Sequence, residues 1–297
     1  MKNIYKRLKK LSFLQILEKI FIIVLRKLKF KSFATIKRLR SEADDGGYLA
    51  SVEEAINNKK KFSNFKSHPF YTRILEHVTY RQGLEYINIL KKESNLLDNI
   101  NNFVINDEIG NPNRYFYDEL NIRISPTTLR YIKIAYDIKK LFKDEITNIV
   151  EIGCGYGGQY LILDQVKKIN HYTLIDLHDV NKLIEKYLEC HLLNSSYETK
   201  TINQLENNRQ FDLVISNFAF SELPPQTQIK YIKKVLLNSK NGYLIMNSGV
   251  ENSGFKNHLP LEEIKNHIKN ITILQEEPST NEANYIITWG NINIEKI

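Results

Sequence analysis

The residues best suited to chemistry stand close together in segment 148–160. An apolar run, 149–152, contains the single acid Glu151 and is followed by four glycines: Gly153, Gly155, Gly157 and Gly158. Glycine tolerates positive φ and lets the backbone approach a ligand that a Cβ would push away. The spacing therefore predicts a buried strand, a glycine turn that cradles a ligand, and a helix over 159–166.

Two ligands compete for this turn. The glycines satisfy G-x-G-x-x-G, in which a pyrophosphate lies on a helix N-terminus, so a nicotinamide oxidoreductase is one reading. Glu151 is unfavourable beside a pyrophosphate and favourable beside a cationic amino-acid group. Its pattern, Glu151-Ile-Gly-Cys-Gly-Tyr-Gly157, resembles the first motif of class I S-adenosylmethionine (SAM) methyltransferases. That resemblance implies SAM as the cofactor, and we favour it over the nicotinamide reading.

Polar residues also end two other predicted strands. Asp176 closes the second strand, where a carboxylate can accept hydrogen bonds from both ribose hydroxyls of an adenosine, while Asp179 is better placed to cap the next helix. The segment after the fourth strand, 216–218, walls the methyl donor in methyltransferases. The predicted cofactor contacts are therefore Glu151, Gly153, Gly155, Gly157, Asp176, Ser216, Asn217 and Phe218.

Strands and helices alternate from residue 148 onward. This alternation predicts right-handed βαβ units and a parallel sheet that binds ligands at the carboxyl ends of its strands. Two further strands, 271–275 and 285–289, would close the chain as an antiparallel hairpin, which is typical of class I methyltransferases rather than of dinucleotide-binding domains. The predicted fold class is α/β, a Rossmann-like methyltransferase sheet with this C-terminal hairpin and an N-terminal helical region.

Charge is distributed unevenly along the 297 residues. The net charge of +8 arises from segment 1–40, which holds 13 Lys and Arg against one Glu, whereas the other 257 residues carry −4. This distribution argues against a nucleic-acid partner for the body. Apolar residues at helical spacing make segment 1–40 a basic amphipathic arm, which we expect to lie on an anionic membrane surface or to pack on protein. Its longest apolar run is too short for a membrane span.

The segment between the arm and the sheet is predicted to be helical. We expect helices over 49–56, 71–77 and 83–97, in a cap or lid region that spans 41–124, before a methyltransferase domain over 125–297. A helix should begin after Ser125, which fits the N-cap position. Arg130 in its first turn either reaches the ligand edge of the sheet or is solvated.

Three segments narrow the resemblance further. They are Ile124-Ser-Pro-Thr-Thr-Leu-Arg-Tyr131, the glycine segment 149–160, and Ile215-Ser-Asn-Phe-Ala-Phe-Ser-Glu-Leu223. Together they resemble a bacterial family of sugar O-methyltransferases associated with surface polysaccharide genes. The likeness covers roughly residues 105–290 and implies a sugar or glycan precursor as substrate.

An alcohol acceptor needs help to lose its proton, so a general base is expected. We predict His258 as this base, with Glu222 either orienting it or serving as the base itself. The alternatives are a solvated surface histidine and a carboxylate that merely lies near the start of the next helix. His178 and Asp179 lack a third metal ligand nearby, so no metal is expected.

Other functions remain open at this stage. The acceptor could be a lipid or another small molecule, or the chain could be a non-catalytic, membrane-associated assembly protein that has kept the SAM fold. The two cysteines are too few for a disulfide framework, which indicates a cytoplasmic protein, peripheral at the inner membrane if the arm binds lipid.

Overall fold

The computed structural model describes residues 47–142, 145–247, 259–281 and 284–293, which all belong to one compact unit. Within these residues, seven strands form one sheet and two short strands form a separate antiparallel pair. The pair is β1 Tyr115–Tyr117 and β2 Ile122–Ile124, and the sheet strands are β3 Asn148–Ile152, β4 His171–Ile175, β5 Ser196–Lys200, β6 Phe211–Asn217, β7 Ser239–Met246, β8 Thr272–Gln275 and β9 Tyr285–Trp289.

The order of the strands in space is β5-β4-β3-β6-β7-β9-β8. Strands β3 to β7 pair in parallel, and β9 runs antiparallel to both β7 and β8. The chain starts at the centre of the sheet and builds one half before the other, so the switch point lies between β3 and β6. The predicted α/β class, the parallel sheet and the C-terminal antiparallel hairpin are confirmed.

Helices connect the strands and form the N-terminal region of the described chain. They are α1 Gly47–Asn57, α2 Lys59–Phe62, α3 Pro69–Ile74, α4 Tyr80–Glu93, α5 Pro126–Leu141, α6 Gly158–Val166, α7 His178–Leu188, α8 Ala219–Glu222, α9 Pro225–Lys234 and α10 Leu261–His267. Short 3-10 helices cover Phe65–Ser67, Leu96–Asn102, Val104–Asp107 and Leu236–Asn238. None of these described helices is long and apolar enough to span a membrane.

The sheet is buried on both faces, as expected for a parallel sheet. Along β3, Ile149 belongs to one apolar cluster and Val150 to the other. The first cluster also contains Tyr48, Phe65 and Ile132, so the N-terminal helices share a core with one face of the sheet. They are part of the same packed body.

Helix α5 begins as its sequence predicts. Ser125 is the N-cap, and its Oγ accepts a hydrogen bond from the Thr128 backbone N–H at 3.1 Å. The buried carboxylate of Asp107 fixes this end from outside the helix, accepting from Ser125 Oγ at 2.7 Å and Thr128 Oγ1 at 2.6 Å. The first turn of α5 is therefore held firmly beside the sheet.

Some predicted boundaries shift. The helix predicted over 71–77 ends at Ile74, and the one predicted over 83–97 begins at Tyr80 because Thr79 and Gln82 form a capping box there. The arm at 1–40 lies outside the described residues, and the division into arm, cap and methyltransferase domain stays a prediction.

Candidate functional site

The glycine turn leaves β3 in a conformation that requires glycine. Gly153 has φ +73° and Gly155 has φ +61°, in the left-handed region that side chains rarely adopt. A Cβ on Gly153 would lie 2.1 Å from Ala219 Cβ, and one on Gly155 would lie 2.9 Å from Leu75 Cδ1. The absence of a Cβ thus lets Ala219 pack against Gly153 and Leu75 pack against Gly155. The sequence had suggested only that it lets a ligand approach the backbone.

Glu151 lies in β3, one residue before the strand ends. Its side chain is 1% exposed, and Tyr172 donates its hydroxyl hydrogen to Oε2 at 2.9 Å. Burial raises the pKa of Glu151 to about 8, although the Tyr172 hydrogen bond favours the ionised form and opposes that rise. In the protein alone this carboxyl therefore carries a proton near neutral pH, and a cationic ligand group beside it would favour its ionisation.

Asp176 follows the end of β4 and contacts the glycine turn directly. Its Oδ2 accepts a hydrogen bond from Gly155 N–H at 3.1 Å, and its Oδ1 accepts one from Leu177 N–H at 2.7 Å. Burial raises its pKa to about 6, while the hydrogen bonds from backbone N–H groups oppose the rise. Helix α7 begins at His178, so Asp179 lies inside its first turn rather than at the N-cap position.

The end of β6 supplies three of the predicted contacts. Ser216 is fully buried, and its Oγ donates to Ile152 O at 3.1 Å and accepts from Phe220 N–H at 3.0 Å. Its hydroxyl therefore fixes the two strand ends to each other. Phe218 has φ +70° and ψ −34°, a strained backbone for an aromatic residue. Such strain is common at functional sites, because surrounding structure must hold it in place.

Asn217 joins this strand end to the helix after the glycine turn. Its Nδ2 donates to Gln159 Oε1 at 3.3 Å, and Gln159 Nε2 donates to Tyr131 O at 3.2 Å. Its buried Oδ1 has no hydrogen-bond partner in the described part of the chain. The sequence prediction included Asn217 but not Gln159. The position of Gln159 directly after the glycines could have indicated that it belongs to the site.

Of the two predicted catalytic residues, the structure describes only Glu222. Glu222 ends helix α8, and its Oε1 accepts a hydrogen bond from Asn247 Nδ2 at 2.9 Å, just beyond the end of β7. It thus lies at the carboxyl edge of the sheet. His258 lies outside the described residues, so the predicted pairing of His258 with Glu222 stays a prediction. Among the described side chains, no three His, Cys, Asp or Glu cluster as metal ligands.

The N-terminal helical region packs against the glycine turn through Tyr156. The ring of Tyr156 is fully buried, with its centroid 5.6 Å from that of Phe65 and 5.0 Å from that of Tyr187. Lys66 Nζ lies 4.0 Å from the centroid of the same ring, and burial lowers the pKa of Lys66 to about 8. These contacts, which sequence reasoning did not identify, hold the turn in shape.

The arrangement suits an adenosyl ligand with an amino-acid group. Asp176, just after the end of β4, is suited to accept hydrogen bonds from ribose hydroxyls. Glu151 is suited to interact with an ammonium group. Between them, the turn exposes backbone without a Cβ at its positive-φ glycines, Gly153, Gly155 and Gly157. The glycine turn, Glu151 and Asp176 together fit SAM as cofactor.

Comparisons with known proteins give structural similarity alone. No protein-family model matches the sequence, and none of the curated proteins matches it. Similar solved structures include N-methyltransferase NodS from Bradyrhizobium japonicum, with 14% identity over 55% of this chain and 92% of that chain, at a TM-score of 0.41. A SAM-dependent methyltransferase from Clostridium acetobutylicum has 15% identity over 54% of this chain and 89% of that chain, at a TM-score of 0.41.

A third similar structure is magnesium protoporphyrin IX methyltransferase (ChlM) from Synechocystis with bound S-adenosylhomocysteine (SAH). It has 12% identity over 54% of this chain and 85% of that chain, at a TM-score of 0.37. The strand order and the positive-φ glycine turn of this chain carry the fold assignment: a seven-stranded Rossmann-like methyltransferase sheet.

Proposed function

We propose that this protein is a SAM-dependent O-methyltransferase that methylates a hydroxyl of a sugar or surface-glycan precursor. The observation that carries the methyltransferase part is the hydrogen bond from Gly155 N–H to Asp176, next to the buried acid Glu151 in the adjacent strand. The sugar acceptor is supported by the resemblance of segments 124–131, 149–160 and 215–223 to sugar O-methyltransferases.

Each site residue has a role in this proposal. SAM, when bound, supplies an electrophilic methyl group on a sulfonium. Asp176 accepts hydrogen bonds from the ribose hydroxyls, Glu151 lies towards the ammonium group, and the strained Phe218 forms a wall of the crevice. Because the turn and strand ends are already fixed by hydrogen bonds, the chain can hold the reacting groups in place without rearranging them.

The acceptor hydroxyl must lose its proton during the transfer. We assign this to His258 as general base, with Glu222 orienting it or acting as the base. Glu222 is held by Asn247 at the carboxyl edge of the sheet, which suits either role. In the same proposal the basic arm, 1–40, brings the enzyme to an anionic membrane surface, where glycan precursors on lipid carriers would be accessible.

Calorimetric titration of the full chain with SAM, SAH and NAD tests the cofactor. We expect SAM and SAH to bind, NAD not to bind, and the Asp176→Ala and Gly155→Asp variants to lose most of the affinity. Asp179→Asn, which changes a half-buried acid in the first turn of α7, is the matched control and should bind normally. Binding of NAD alone would overturn the proposal.

The acceptor is tested by transfer of labelled methyl from SAM to nucleotide sugars, lipid-linked sugars and lipids that lack sugar. Label recovered as an acid-stable methyl ether on a sugar supports the proposal. Label recovered on lipid alone would favour the alternative acceptor. His258→Ala and Glu222→Gln should each lower turnover at least about 100-fold while SAH affinity is retained, and full turnover would remove that residue from the mechanism.

A further inference from the structure

Arg130 is a buried cation without an ion-pair partner among the described residues, although its guanidinium lies 5.7 Å from the centroid of the Tyr131 ring. Arg130 is the fifth residue of α5 and is 5% exposed. Its Nη2 donates to Leu75 O at 3.2 Å, but Nε and Nη1 have no hydrogen-bond partner in the described residues. None of the ion pairs found among those residues includes Arg130. A guanidinium stays charged at all physiological pH values, and leaving it buried and unpaired is costly.

The surroundings of Arg130 belong to the candidate cofactor site. Leu75, whose carbonyl Arg130 holds, packs on Gly155 of the glycine turn. The next residue in the chain, Tyr131, is joined through its carbonyl to Gln159 and from there to Asn217. Arg130 therefore lies where the glycine turn and the end of β6 approach the start of α5. Of the two positions that the sequence left open for it, its burial excludes the solvated one.

A second buried polar group without a partner in the described chain, an acceptor rather than a donor, is linked through Gln159 to the backbone of Tyr131, the neighbour of Arg130 in sequence. Asn217 Oδ1 is a buried acceptor without a partner in the described residues, just as Arg130 Nε and Nη1 are buried donors without one. Buried polar groups in native proteins are nearly always paired, by protein, water or ligand. An unpaired cationic donor and an unpaired acceptor together match an α-amino acid, which presents a carboxylate and an ammonium group.

We propose that Arg130 binds the α-carboxylate of the amino-acid moiety of SAM and SAH, an inference that rests on the proposed function. Whichever Nη2 hydrogen Leu75 O accepts, the other lies parallel to an N–H of Nε or of Nη1. One pair of parallel N–H groups therefore remains to meet the two carboxylate oxygens side by side, a geometry that lysine cannot reproduce. Asn217 Oδ1 and Glu151 accept from the ammonium group, and Asp176 holds the ribose. The ligand carboxylate thus neutralises the buried guanidinium.

Decarboxylated SAM is the sharpest probe, because it keeps the adenosyl group, the sulfonium and the amine and lacks only the carboxylate. Calorimetry should give wild-type protein a dissociation constant for SAM at least about 30-fold below that for decarboxylated SAM, corresponding to about 2 kcal/mol. Arg130→Gln should weaken SAM by at least about 30-fold and change decarboxylated SAM by less than about threefold. Arg130→Lys should recover only part of the SAM affinity.

Two controls separate recognition from folding. Arg123→Gln removes an exposed arginine from β2 and should bind both ligands as wild type does. Asp176→Asn should weaken both ligands alike, because both carry the ribose. Thermal unfolding of Arg130→Gln without ligand should show a midpoint no lower than wild type, since the variant loses an uncompensated buried charge.

Five results would overturn the inference, the last of them together with the proposed function. Equal weakening of both ligands by Arg130→Gln would assign Arg130 a structural role, and unchanged SAM affinity would exclude the contact. A variant that alters only the KM of an acidic acceptor would place the bound anion on the acceptor instead. Wild-type protein that binds SAM but does not prefer it over decarboxylated SAM would refute this inference alone, whereas wild-type protein that binds neither SAM nor SAH would refute the proposed function as well.

Discussion

Replacing Glu151 by glutamine should stabilise the protein without ligand, and more so as the pH rises. Burial raises the pKa of Glu151 from 4.5 to about 8 in the folded protein. Between these values the folded protein binds a proton that the unfolded chain has lost, so the free energy of unfolding falls as pH increases through this window. Below pH 4.5 Glu151 costs no stability, and above pH 8 its cost reaches a plateau.

The magnitude follows from the size of the shift. Each pKa unit corresponds to about 1.4 kcal/mol, so the plateau is about 5 kcal/mol. Between pH 6 and pH 8.5 the cost grows by about 2–3 kcal/mol, evaluated from the two pKa values. Glutamine does not ionise, and its side-chain oxygen can still accept the Tyr172 hydrogen bond. The stability gap between Glu151→Gln and wild type should widen by that amount.

Urea denaturation at several pH values between 6 and 8.5 measures the gap directly. Comparison with wild type at each pH cancels every other titrating group, and Glu53→Gln, at an exposed site in α1, controls for the loss of one negative charge. A gap that stays constant within about 0.5 kcal/mol over this range, the usual additivity error, would refute the reasoning. With ligand, SAH binding at pH 7 should release close to one proton from wild type and fewer from Glu151→Gln, measured by calorimetry in buffers of different ionisation enthalpy.

Four other substitutions test the packing around the site. Gly153→Ala should lower the free energy of unfolding by about 2–4 kcal/mol, because φ is +73° and the new Cβ would meet Ala219 at 2.1 Å. Gly157→Ala, with φ +88° but its nearest atoms at 3.3 Å, should cost less, and equal losses in urea denaturation would contradict the role of Ala219. Asp107→Asn should lower the free energy of unfolding by about 2–3 kcal/mol in the same measurement, because the buried carboxylate accepts hydrogen bonds from the N-terminus of α5. A decrease below about 0.5 kcal/mol would show that this cap does not need the charge. Folding lowers the pKa of Lys66 from 10.5 to about 8, so the folded protein binds fewer protons than the unfolded chain between these pH values. The free energy of unfolding of wild type should therefore rise by about 3 kcal/mol relative to that of Lys66→Met as pH increases from 8 to 10.5. A difference that does not change with pH would refute this prediction.

The sheet was predictable because its signals are local. Most of the sheet strands contain short apolar or β-branched runs, although β5, at the edge, is polar. The run before the glycines, 149–152, reappears as β3 with one residue added. The N-cap at Ser125 was readable for the same reason, since a cap depends on residues three apart. Consistent local signals of this kind specify the fold with little help from distant contacts.

Contacts between distant parts of the chain were not predictable. Arg130 could be solvated or directed at the ligand edge on sequence grounds, and only the packing of Leu75, 55 residues earlier, shows that it is buried. One hydrogen-bond partner of Glu222 is Asn247, which lies 25 residues further along the chain. Nothing in the spacing of these residues distinguishes such a pairing from many others.

The N-terminal helical region helps to fix the conformation of the glycine turn through its contacts with Tyr156. Tyr156 is the residue between two positive-φ glycines, and its ring is enclosed by Phe65, Tyr187 and the ammonium group of Lys66. Rotating the turn would pull this ring out of its aromatic surroundings, which contribute about 0.5–1.5 kcal/mol per ring pair beyond area burial. The turn is therefore held in its left-handed conformation before any ligand binds, and the energy of ligand binding is not needed to form it.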